Sequence, residues 1–546
     1  VRPAEWPRHC LETNTSIFAM AVSITGHHQL RTNTDERSVI SVLYRSRIPR
    51  VCRVRTLNAS CNAAKVPNHE LPPGKLGLPL VGESIEFLAD PVKFVRKRLD
   101  RYGPVFKTNL FGKPTVFLGG AFPVQEFMAV EGTQITASSY PDTFTNLHTK
   151  YGALNQEGER LRSTRLAYSK VLGPEAIKTY LPTMEKYTSD FLDEVVRRGS
   201  LTLTPDLEAL CIQMYAKMFL GISIPDDIQR DFRLYNDGLV ALSALDVPFT
   251  AYGQGSAALM RLQMFMESHI NRITKNGTLH TDPAYFCIRE LASCVDETGE
   301  VWTTERVGTA IVLLVWGAYS EAASLVANVL YKLPSGSQTI TKRMREEISS
   351  LLPEGPSSAV DFGVANRMQY LEAVFSESLR LNPPAGGGMR LLDQNWTMSV
   401  TAGGYTIPEG WVVSADPRIS NFSYNIFPEP DEFVPERFAT KGCPFGFSKR
   451  EDGDKLAADY SVRDEEGRLP TGVWIPGGIG SHQCPGIPLA MTSAKVIMTR
   501  FLQRIETWEP MESREPIWKV LPIRAIDDDF RITVVPFKQK VRNDSN

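Results

Sequence analysis

Residues 472–490 read GVWIPGGIGSHQCPGIPLA. One cysteine, Cys484, sits among glycines at 477, 478, 480 and 486 and prolines at 476, 485 and 488. Glycine permits left-handed backbone and close approach, and proline cannot continue a helix or a central strand, so the stretch reads as a shaped loop. An apolar run with helical spacing, IPLAMTSAKVIMTRFL, begins only at Ile487, with Pro488 in its first turn. That helix would aim its N-terminal dipole at the cysteine and favour a thiolate. A structural cysteine buried in a turn is the plain alternative, and the loop alone does not choose.

The rest of the chain narrows the choice. It has 546 residues, 42% hydrophobic and 22% charged, enough to bury a large core without disulfides. Sixty basic and 62 acidic residues leave a net charge of −2, and there is no basic stripe interleaved with aromatics. Nucleic acid is therefore not an expected partner. The eight cysteines form no CxxC pair, which argues against a zinc site or a disulfide framework. The most apolar stretch, VGTAIVLLVWGAYSEAASLVANVLYKL (307–333), is interrupted by Glu321 and reads as a long buried helix rather than a membrane span.

Between Arg37 and His69 there is no acidic residue but there are six arginines, and no apolar signal-peptide core precedes them. This pattern reads as a plastid-type transit peptide. We expect an N-terminal extension over 1–65, with the true start at Met20, and one folded domain over 66–546. A tail without targeting function is the alternative for the extension. Within the domain, LPPGKLGLPLVGESIEF (71–87) is expected to lie as an extended ribbon. DPVKFVRKRLDRYG (90–103) should be a helix capped by Asp90, and VFKTNLFGKPTVFLGG (105–120) a hairpin turning at Gly112. Helical patterns dominate 122–380, short strands return near 389–417, and the mixed-charge runs of 440–470 read as a solvated insertion. The fold class is mostly α with a minor β region, in a single large domain.

Three further stretches bear on Cys484. Glu377 and Arg380 in YLEAVFSESLRL (370–381) share a helix face, and Arg437 in FVPERF (433–438) could join them in a buried charge network. Taken in order, PPGKLGLPLVG, the Glu377-x-x-Arg380 helix, PERF (435–438) and GSHQCPG (480–486) resemble the cytochrome P450 family of haem-thiolate proteins. The resemblance covers roughly residues 70–540. It implies the P450 fold and a haem b held by the Cys484 thiolate, which pushes electron density onto iron and favours O–O cleavage. Gly480 and Gly486 would let backbone N–H groups reach the sulfur. Arg390 and Arg165 stand where the family places partners of the haem propionates.

The sequence departs from the family pattern in three places. Gly477 replaces an aromatic residue, and His482 replaces a propionate-binding arginine. In the central helix the family's acid–alcohol pair, which delivers protons, reads WGAYSEAAS: aligned on Gly317, Tyr319 takes the acid position and Ser320 the alcohol position. Glu321 lies one step on, about 100° around the helix from Ser320, and is expected to serve only if the helix is distorted. The resemblance implies a monooxygenase acting on a lipophilic, isoprenoid-, sterol- or fatty-acid-like substrate, with electrons from ferredoxin or a flavoprotein reductase. The weakened relay keeps open an O2-independent fatty-acid hydroperoxide isomerase, dehydratase or lyase, and a non-catalytic haem-binding protein stands third. A monomer is expected, located in the plastid or held peripherally at an intracellular membrane.

Overall fold

The computed structural model describes residues 70–78, 81–334, 338–398, 404–439, 469, 471–521 and 523–538. The expected N-terminal extension, and nearly all of the mixed-charge insertion, lie outside these residues.

The described chain is mostly helical. Its axis is Thr304–Lys332, a 29-residue helix buried on almost every side. Thr303 caps it by accepting from the Arg306 N–H at 3.2 Å, and it ends at Leu333, just before Pro334. Its length and hydropathy would let it cross a membrane, but it is the core helix here, packed against Leu203–Leu220, Ala251–Lys275, Gln369–Leu381 and Ile487–Arg504. A helix that is apolar all round can be satisfied only in such a place.

The β region is small, and its main sheet packs around apolar clusters of its own. Its main sheet runs in the order Val105–Leu110, Lys113–Leu118, Val412–Ala415, Met389–Leu392 and Ile135–Ser138. The first two strands form the hairpin read from the sequence, with Phe111 and Gly112 at the turn in left-handed conformation. The helix before this hairpin, Pro91–Tyr102, starts where Asp90 predicts: the Asp90 carboxylate accepts from the N–H groups of Val92 and Lys93, both at 3.0 Å. The ribbon expected over 71–87 ends earlier than read, because Ser84–Ala89 forms a short helix.

Between helix Gln369–Leu381 and the Cys484 loop, the chain is tied down by a buried charge network. Arg380 forks onto both Glu377 oxygens at 2.7 Å, and Arg437 reaches the same carboxylate at 3.3 Å. All three side chains are fully buried. Arg380 also donates to the carbonyls of Asn421, Pro430 and Glu432, so one guanidinium staples three loop positions to a helix. Desolvation offsets much of the attraction, so the network's value lies in holding this irregular segment in one shape.

Candidate active site

Cys484 stands on the wall of an internal cavity of about 1250 Å³, which is also lined by residues of the central helix and of the main sheet. The other described cysteines, Cys211, Cys287 and Cys294, are buried and do not line it. Some of the Cys484 surface is accessible, but it opens into the cavity, and protein crowds the thiol elsewhere.

The loop is folded by its own backbone. Cys484 N–H donates to the Gly477 carbonyl at 2.8 Å, and Gln483 N–H to that of Gly480 at 3.1 Å. Helix Ile487–Arg504 follows at once, and the N–H groups of Gly486 and Ile487 point at the sulfur and ease its ionisation. Two effects oppose them. Burial is the larger and the negative charge of Glu321 the second; together they push the thiol up to about 11. Coordination to a metal cation would favour the thiolate against both.

The two glycines expected to serve the sulfur do different things. Gly486 supplies an N–H, whereas Gly480 faces away, in left-handed conformation with its α-carbon against the Glu131 carboxylate. That carboxylate accepts from Ser481, from its N–H at 3.2 Å and its hydroxyl at 2.8 Å. Gly477 has its own reason for lacking a side chain: a Cβ there would collide with Ile487 Cδ1 and lie 3.1 Å from Cys484 Cβ.

Three basic side chains gather on the cavity wall beside the loop. Arg165, from helix Gly158–Leu172, donates to the Gln483 carbonyl and places positive charge near the sulfur. Arg390 donates to the Ser138 hydroxyl at 3.3 Å. His482 Nε2 lies 3.2 Å from the Glu157 carboxylate, while its Nδ1 is buried and has no hydrogen-bond partner among the described residues. Glu131 and Glu157 were missed in the sequence because they lie 350 and 325 residues from their partners, with no local pattern to mark them.

The central helix corrects the expected relay. It remains a regular α-helix through this region, and Leu314, Gly317, Ala318, Glu321 and Leu325, spaced at three, one, three and four residues, face the cavity. Ser320 and Tyr319 do not. Ser320 turns away and donates to Glu208 Oε1 at 3.0 Å, and Tyr319 is buried edge-on against Phe232. The reading failed because it was anchored on Gly317 and ignored which residues share that glycine's face. Glu321 is in the cavity without any helix distortion. Among the described residues no hydrogen bond or ion pair reaches its carboxyl, and burial alone pushes it up to about 7. Trp316 also lines the cavity, its indole N–H donating to Asn236 at 3.0 Å.

A thiol with two backbone donors, cations beside it, an orphaned buried imidazole nitrogen and a large apolar chamber is a donor set that fits haem. Comparison with known proteins decides the family. The cytochrome P450 family model matches residues 72–520. The chain belongs to the cytochrome P450 family. It is accordingly an oxidoreductase of the monooxygenase type, with haem held by a cysteine thiolate, a lipophilic substrate and an external electron donor.

Among curated P450 relatives, cytochrome P450 26A1 of Danio rerio is 24% identical over 82% of this chain and 86% of its own. Putative cytochrome P450 120 of Synechocystis is 26% identical over 85% and 96%. Taxane 10-beta-hydroxylase of Taxus cuspidata is 26% identical over 82% and 86%. Among solved structures, cyanobacterial CYP120A1 with retinoic acid bound superposes with a TM-score of 0.73 at 25% identity, over 86% of this chain and 99% of that one.

Proposed function

We propose that this P450 inserts one oxygen atom from O2 into an isoprenoid-like lipid, with haem that the Cys484 thiolate would hold and with Glu321 as the proton donor. Haem, once bound, supplies the oxygen activation and insertion chemistry. Arg165, Arg390 and His482 would receive its propionates, with Glu157 orienting the histidine. The chain's own contribution on the distal side is Glu321. A carboxyl with a pKa near 7 is protonated and deprotonated at comparable cost near neutral pH, as a general acid requires. Its place on the wall of the same cavity that Cys484 lines is the observation that carries the proposal.

That placement weighs against the O2-independent hydroperoxide enzyme, which the weakened relay had kept open. The substrate class is supported by the apolar chamber and by the names of relatives. Taxanes and retinoic acid, named with a relative and a structural neighbour, are both isoprenoid in skeleton. The test measures turnover of retinoids, diterpenes, free fatty acids and fatty-acid hydroperoxides with ferredoxin or a flavoprotein reductase. Oxygenated product that needs both O2 and reductant supports the proposal. Rapid hydroperoxide turnover without either as the main activity overturns it.

A further inference from the structure

The central helix is apolar on nearly every face, so amphipathicity cannot set its rotation. Polar contacts must do so. On the face turned away from the cavity, Ser320, Ser324 and Asn328 follow one another at four-residue spacing, and each is tied. Ser320 donates to Glu208, Ser324 donates to the Arg524 carbonyl at 2.7 Å, and the Asn328 amide donates to the Ser324 hydroxyl at 3.3 Å. Successive helical residues point about 100° apart, so a serine pinned outward at 320 holds residue 321 toward the cavity.

Of these contacts, the one adjoining Glu321 is made by a side chain from another helix. Glu208 lies on Leu203–Leu220, which packs along the central helix. It is largely buried, a costly place for a carboxylate, and Ser320 is the one hydrogen-bond partner recorded for it among the described residues. We infer that Glu208 is a positioning residue for oxygen insertion: through Ser320 it fixes the rotation of the central helix and thereby aims the Glu321 carboxyl into the cavity. Neither Glu208 nor Ser320 touches the reacting groups in this account. The inference rests on the proposal that Glu321 is the proton donor, but the aim of Glu321 can be measured separately from its use.

The experiment uses the haem-loaded full chain. The C=O stretch of protonated Glu321 is identified by infrared spectroscopy at pH 6 as the band lost in Glu321→Gln. The fraction of electrons appearing in product is measured in parallel. Glu208→Ala and Ser320→Ala should each shift or broaden that band and lower coupling about tenfold. The double variant should be no worse than either single one, since both delete the same contact. Glu208→Gln keeps an acceptor oxygen for Ser320 and should restore both readouts. If Glu208→Ala fails to retain haem, Ser320→Ala, which removes a single oxygen atom, carries the test. An unchanged Glu321 band in Ser320→Ala, or Glu208→Gln as impaired as Glu208→Ala, overturns the inference. Wild-type coupling in Glu321→Gln would instead overturn the proton-donor reading, with the band shift still deciding the positioning role.

Discussion

Two stretches of the cavity wall are held in place by opposite means. The Cys484 loop is local: its shape comes from backbone bonds between near neighbours, from Gly477 where no side chain fits, and from the helix that starts three residues after Cys484. The Glu321 wall is global. A regular helix carries it, and a side chain on another helix and a backbone carbonyl of a distant loop hold the face that looks away. A local device can be read from nineteen consecutive letters, whereas a rotation cannot.

The contrast can be broken first at the loop. Cys484→Ser should abolish the thiolate signature of the reduced carbon monoxide complex altogether, while the protein still folds; a persisting thiolate band would move the ligand to another cysteine. Next in size is the network beneath the loop. Glu377→Ala leaves two guanidinium groups buried without their carboxylate and should cost about 3–5 kcal/mol in urea denaturation, enough to leave little folded protein. Recovery of a protein with unchanged midpoint would show that the carbonyl partners of Arg380 suffice. Smaller again is Gly477→Ala, whose methyl must push Ile487 aside; a loss of about 1–3 kcal/mol is expected, with a displaced Soret band because Cys484 Cβ lies next to it. An unperturbed spectrum would mean that the loop is softer than its backbone bonds imply.

This difference also explains how far the sequence could be read. The Asp90 cap, the hairpin at Gly112, the helix start at Ile487 and the Glu377–Arg380 pair were legible because each depends on residues within a few positions of one another. Arg437 was legible by motif. Ser320 and Tyr319 were misassigned because a helix buried all round gives no sign of which stripe meets the cavity. Glu208, Glu131 and Glu157 were invisible for the same reason in a stronger form: the contact each brings to the site is with a residue more than a hundred positions away. The role given to Gly480 shows the limit within the loop itself, since its conformation answers to Glu131 rather than to the sulfur beside it.

The most direct measurement is the pH dependence of electron coupling in wild type and Glu321→Gln. A proton donor acts from its protonated form, so a carboxyl at about 7 gives wild-type coupling that is high in mild acid and falls as pH rises through 7. Glu321→Gln should be low and flat across the same range, with its carbon monoxide spectrum unchanged. If the variant keeps both the wild-type coupling and its fall near pH 7, Glu321 does not supply the proton, and the distal half of this account is wrong.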